Sequence, residues 1–139
     1  RKKKIGLIFQ QFYLIPNYTA LENVMFPMQI NEIKDEEIKA NAILSDIGLD
    51  HRKNNLPSEL SGGEQQRVAI ARAISFNPEI ILADEPTGNL DKKNTEIVSD
   101  LLLKYSTKKK ISLILVTHNM NLAKKCDRVI RLIDGSIKV

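Results

Sequence analysis

The sequence holds one cysteine, Cys126, in 139 residues, so no disulfide can form within the chain. That scarcity fits a reducing, cytosolic setting, and Cys126 reads as a packing residue. No apolar stretch reaches the roughly 20 residues a membrane-spanning helix needs, and none has the layout of a secretory signal. There is no internal repeat and no low-complexity tract. An excess of one charge is also missing: 21 Lys and Arg face 17 Asp and Glu, for a net +4 and a pI near 9.2. Two basic runs, Arg1-Lys2-Lys3-Lys4 and Lys108-Lys109-Lys110, read as solvated strand ends, and no nucleic-acid partner is expected. The remainder is ordinary for one modest globular domain, with 42% hydrophobic and 27% charged residues.

The informative stretch runs from Leu60 to Asp91. Ser61 with Glu64 three residues on is a capping box, the mark of a helix start. Gly62 and Gly63 lack Cβ atoms, so another group can approach their backbone. A helix start offers free N–H groups and a partial positive charge, which suits a phosphate. The helix continues through Val68, Ala69, Ala71, Arg72, Ala73 and Ile74 until Asn77-Pro78 stops it. Ile80 to Ala83 is a short apolar run that reads as a strand buried on both faces of a parallel sheet. Asp84 and Glu85 follow, at the carboxyl end of the strand, where ligand sites of open α/β sheets lie. Adjacent residues point in different directions, so one carboxylate can hold Mg2+ while the other polarises an attacking water. Pro86 to Asn89 is a turn, and Asp91 caps the next helix, which buries Ile97, Val98, Leu101 and Leu102. Taken singly, each of these pieces has an ordinary reading as a capped helix, solvated acids or an N-cap.

Around this stretch, Ile5 to Phe9 reads as a buried strand, followed by Gln10 and Gln11. Thr19 to Met28 is a helix with its own capping box, Thr19 and Glu22, and Met25, Phe26 and Met28 read as core. Asp35 to Ile47 is a second helix with Ile38, Ala42, Leu44 and Ile47 inward, stopped by Gly48. His51 sits in a polar loop, exposed. Ile111 to Thr117 is another apolar strand with His118 at its carboxyl end, and Asn119 to Lys125 a short helix. Asp134-Gly135 signals a hairpin between Val129–Ile133 and Ser136–Val139.

In this order and spacing the motifs resemble the nucleotide-binding domain of ABC ATPases, over essentially the whole chain. Leu60–Arg67 matches that family's signature segment. Asp84 matches its Walker B aspartate, Glu85 its catalytic glutamate, Gln10 its Q-loop glutamine, Asp91 its D-loop aspartate and His118 its switch histidine. The resemblance implies an α/β fold: a partial P-loop NTPase core, a mostly parallel sheet flanked by helices, plus an α-helical signature subdomain. Residues 12–77 would form that subdomain, and 1–11 with 78–139 the distal part of the core. It implies catalysis by Glu85 and His118, ATP contacts from Gln10, Ser61, Gly62, Gly63, Glu64 and Asp91, and Mg2+ on Gln10 and Asp84. Two such domains would close head to tail on ATP as a homodimer and drive a transmembrane permease subunit from the inner face of the cell membrane. Phe12, Tyr13, Leu14 and Ile15 would offer that partner an exposed groove. The form Asp84–Asp91, with Phe9–Phe12 and Leu21–Val24, is similar to the lipoprotein-releasing, macrolide-exporter and cell-division branch, which implies export or extrusion.

The family's phosphate loop, Gly-x-x-x-x-Gly-Lys-Ser/Thr, occurs nowhere in the 139 residues. The expectation is therefore a C-terminal piece of the domain, with an abrupt start at Arg1, inactive alone. In the family a strand lies between those matching Ile111–Thr117 and Val129–Ile133; here that place would be a gap, a re-pairing of the two, or a swapped arrangement. Two other functions compete. A soluble ABC-type ATPase acting on DNA would insert long coiled coil, and no heptad run occurs; one acting on the ribosome carries two ATPase domains joined by a charged linker, a layout the 139 residues leave open. A non-catalytic docking module has no need of Glu85 and His118.

Overall fold

The computed structural model describes residues 4–138; Arg1, Lys2 and Lys3 of the first basic run, and Val139 of the last strand, lie outside them. Strand β1 (Ile5–Phe9) leads through a loop to helices α1 (Ala20–Ile30) and α2 (Glu36–Asp46), two single 3-10 turns at Asp50–Arg52 and Pro57–Glu59, and α3 (Gly62–Ile74). Then come β2 (Ile80–Asp84), α4 (Lys92–Lys109), β3 (Ser112–Val116), the short α5 (Met120–Ala123) and the hairpin β4 (Arg131–Ile133) and β5 (Ser136–Lys138). β1, β2 and β3 form a parallel sheet in that order, with Phe9, Asp84 and Val116 as register partners at one end.

The sheet corrects one expectation. Its strands are not buried on both faces. Ile8, Ile81 and Ala83 point into the core. On the other face Leu7 is 47%, Ile114 56% and Val116 58% exposed. The described helices pack on one side only, and alternation along each strand puts every second apolar residue on the open side. Around the expected strand position the outcome is the gap: among the described residues β4 pairs only with β5, through a turn with Asp134 at φ 49 and Gly135 at φ 73.

The helices start where local chemistry says they should. Thr19 and Glu22 close a capping box on α1, and Asp91 caps α4 through the Asn94 N–H. Helical phase corrects four core assignments. On α2 the inward residues are Ala40, Leu44 and Ile47, so Ile38 (72%) stands in solvent and Ala42 with it. Ile97 on α4 and Phe26 on α1 are exposed as well; Phe26 meets Tyr18 edge-on. Lys109 is not a solvated strand end. It donates to Asn77 Oδ1 at 2.8 Å beside the Tyr105 ring, and burial lowers its pKa.

Two polar side chains, Asn23 buried and Arg72 half-buried, shape the loop that follows Gln10. Asn23, fully buried, donates to the carbonyls of Ile15, Tyr18 and Thr19 and accepts the Ile15 N–H. Arg72 of α3 donates to the carbonyls of Phe12 (3.0 Å) and Tyr13 (2.5 Å). Tyr13 itself sits in the left-handed region at φ 46 and is exposed.

Candidate functional site

The three parallel strands end side by side, and the residues that leave them converge. β1 hands over to Gln10, β2 ends on Asp84 with Glu85 next, and Thr117 and His118 follow β3. Glu85 exits in a left-handed conformation, φ 44, that a non-glycine residue seldom adopts away from functional sites. Its N–H donates to the Val116 carbonyl at 2.9 Å. Its carboxylate turns to the end of β3, where the His118 N–H donates to Oε1 at 2.8 Å and the Thr117 hydroxyl to Oε2 at 3.2 Å. His118 Nδ1 lies 2.7 Å from Oε1. A proton on Nδ1 shared with Glu85 fixes the tautomer and leaves Nε2 outward on an exposed ring.

Asp84 stands exposed on the open face beside this pair. Gln10 turns its amide away from Glu85 toward the following turn: Nε2 donates to Asn89 Oδ1 at 2.9 Å, and Asn89 Nδ2 returns a bond to the Gln10 carbonyl at 3.3 Å. Gly88 makes room for this, since a Cβ there would lie 2.8 Å from Gln10 Nε2. The Gln10 Oε1 is left as a hard acceptor, on the residue that follows Phe9, the register partner of Asp84. Among the described residues no cluster of three or more His, Cys, Asp and Glu could hold a metal. A protein share of one carboxylate and one amide nevertheless fits Mg2+, which keeps waters and takes phosphate oxygens for the rest of its shell.

The other group of sequence candidates forms a second cluster. Ser61 and Glu64 make the capping box: the Ser61 N–H donates to Glu64 Oε2 at 2.8 Å and the Glu64 N–H to Ser61 Oγ at 3.3 Å. The first of these bonds holds the Glu64 carboxyl below its ordinary pKa, and Arg52, 3.3 Å from Oε1, adds to it. The two glycines have different reasons. Gly62 is exposed with ordinary room around it, so its backbone is open to an approaching group. Gly63 is buried, and the group that uses its missing Cβ is Asn94 of the same chain, whose Oδ1 would lie 2.1 Å from a Cβ. Asn94 in turn donates to both Asp91 oxygens, at 2.9 and 2.7 Å, which lowers the Asp91 pKa. Ser61–Glu64 and Asp91 therefore stand together, and Gln10, Asp84, Glu85 and His118 stand together, with the 85–91 turn between them.

The model of the family described as ABC transporter matches residues 1–88. The chain belongs to the ABC transporter family. It is similar to the lipoprotein-releasing system ATP-binding protein LolD of Francisella tularensis subsp. holarctica (strain OSU18), 49% identical over 142 residues, which cover 100% of this chain and 62% of the relative. The LolD of Geobacter metallireducens is 48% identical over 139 residues, covering 99% of this chain and 62% of that one. Among solved structures it is similar to the dimeric post-hydrolysis state of the ATP-binding cassette MJ0796 bound to ADP and Pi, with a TM-score of 0.86 and 43% identity, covering 100% of this chain and 62% of that one. The chain thus spans 62% of the length of these curated relatives. The parallel sheet flanked by helices is the ABC cassette's, as the sequence resemblance implied.

Three polar residues outside the named candidates brace these clusters. Thr117 holds Glu85, Asn89 holds Gln10, and Gln66 reaches both strand ends from α3. Thr117 has a signal in its place at a strand end beside His118; Gln66 and Asn89 lie within the signature segment and the 86–89 turn, where nothing local shows what each would hold.

Proposed function

We propose that this chain is the signature-bearing part of an ATP-hydrolysing subunit that powers export through a transmembrane permease, as the lipoprotein-releasing name of its relatives suggests. The observation that carries the reading is the Glu85 carboxylate, held by three donors at the ends of three parallel strands beside an exposed Asp84. Glu85 takes the proton of the attacking water, and His118 and Thr117 hold its carboxylate in line. Asp84 and the Gln10 amide oxygen hold Mg2+, which, when bound, offsets charge on the phosphates.

Residues 12–77 form the helical subdomain, and residues 1–11 and 78–139 the distal core. Ser61 to Glu64 and Asp91 form a surface for the ATP of a second, head-to-tail copy; the exposed Gly62 is its closest point of approach. Of the expected groove Tyr13 is exposed and Phe12, Leu14 and Ile15 half-buried; with the exposed Tyr18 and Phe26 they form the surface that meets the permease, with the subunit on the inner face of the membrane. No described helix is long and apolar enough to cross it.

The test uses the intact subunit with its permease. Glu85→Gln keeps shape and removes the base. Hydrolysis should fall by a factor of about 100 to 10,000 with ATP binding retained. Turnover at the wild-type rate would sink the assignment of Glu85.

A further inference from the structure

The amide of Gln66 is 0% exposed at the middle of the molecule. It lies one turn into α3, the helix that starts at Ser61. From there its Nε2 donates to two backbone carbonyls of different segments, Pro86 at 2.6 Å and Phe9 at 3.3 Å. Pro86 directly follows Glu85, and Phe9 directly precedes Gln10. One nitrogen thus ties the residue after the proposed base to the residue before the proposed cation ligand. On the far side the Gln10–Asn89 pair ties the same two segments again.

We infer that Gln66 is a positioning residue that sets the spacing between Gln10 and Glu85 and locks both to the signature helix. The inference rests on the proposed ATPase reading. A side chain needed for packing alone would be served by Met or Leu of similar volume. The amide instead leaves its own Oε1 buried without a partner, a cost that native structures seldom retain without a reason. The two carbonyls supply the reason. Phe9 is the last residue of β1 and Pro86 lies two residues past the end of β2, so the shared donor ties the point where the Gln10 loop leaves the sheet to the turn that follows Glu85. Without the shared donor, only the exposed Gln10–Asn89 pair holds the Gln10 loop to the 85–91 turn. Small misplacement of reacting groups costs rate more than affinity.

The experiment is steady-state ATPase kinetics of the intact subunit carrying Gln66→Met, with Gln66→Leu as a second shape. The expected result is a kcat lower by about 10- to 100-fold with KM for ATP changed by less than about threefold. Placed on Gln10→Ala, the same substitution should cost much less than it does alone, because the two act through one spacing. In a Glu85→Gln background, ATP binding should be unaffected by Gln66→Met. Gly88→Ala displaces Gln10 from the solvent side without touching the core, and it should reproduce the split between kcat and KM even where the Gln66 variants fold poorly. An unchanged kcat, a loss that adds in full to Gln10→Ala, ATP binding that falls in step with kcat, or a neutral Gly88→Ala would each overturn the inference. A wild-type subunit with no ATPase activity would overturn the function beneath it instead.

Discussion

A single added methyl group measures how closely the starts of α3 and α4 are fitted. Gly63→Ala would place a Cβ 2.1 Å from Asn94 Oδ1 and 2.3 Å from its Cγ. Asn94 cannot swing aside without cost, since Asp91 holds it by side chain and backbone and Arg67 approaches it at 3.5 Å. Alanine gains about 1 kcal/mol of helix propensity over glycine, while overpacking costs about 1–3 kcal/mol, so the clash outweighs the gain where the neighbour is tied. Urea denaturation should show Gly63→Ala less stable by up to about 2 kcal/mol. In a protein carrying Asn94→Ala, the added methyl should be neutral or stabilising. A Gly63→Ala protein as stable as the original would show that Asn94 moves freely. At this scale the site was partly legible. Glu85 and His118 do meet, because the ends of adjacent parallel strands must, while the Gln10 amide goes to Asn89. The sequence offers Gly63 as room for an approaching group, and the packing shows that Asn94 of the same chain approaches it.

Between elements, one carboxylate joins the helical part to the core. Asp46, the last residue of α2, accepts from Lys104 Nζ at 2.8 Å and from the Tyr105 hydroxyl at 2.5 Å, both on α4. The Lys104 bond, then the Tyr105 bond, hold the Asp46 carboxyl below its ordinary pKa. Burial first, and Asp46 second, push the Tyr105 phenol up, so it stays a donor at neutral pH. Because the folded pKa of Asp46 is depressed, its contribution is present above the unfolded value near 3.9 and is lost as pH falls through the lower folded value. Asp46→Asn should therefore lower Tm by a constant amount at neutral pH, with the difference closing only as the solution becomes more acidic than about pH 4. A Tm gap that widens in acid would contradict this linkage. The capped helices and the strands were legible because caps, apolar runs and turn residues are local signals. The inward face of α2 was not, because its few apolar residues, Ile38, Ala40, Ala42, Ile43, Leu44 and Ile47, ring the helix, and α1 and α3 choose the side. Arg72 and Asp46 act on distant backbone or on another helix and leave no local trace.

For the whole molecule, nucleotide affinity follows from where backbone N–H groups can meet phosphate. No Gly-Lys phosphate loop occurs in these 139 residues. The start of α3 is the one helix start that the resemblance turns toward nucleotide, and part of its capacity is already spent: the Glu64 N–H is held by Ser61 Oγ and the Gln65 N–H by the Ser61 carbonyl. The strand-end cluster, a step away across the 85–91 turn, presents Asp84 and Glu85, two carboxylates that repel a triphosphate unless a cation lies between them. The sheet face beside them is an apolar surface of Leu7, Leu82, Ile114 and Val116, which offers phosphate nothing. Calorimetry on the 139-residue chain should accordingly detect no Mg-ATP binding tighter than a Kd of about 1 mM, an affinity of only about 4 kcal/mol. Arg72→Met should leave that result unchanged, since Arg72 serves only the Phe12 and Tyr13 carbonyls. Binding in the micromolar range, abolished by Asp84→Asn, would mean that the strand-end acids hold Mg-nucleotide by themselves, and the phosphate contacts assigned to the start of α3 would have to move there.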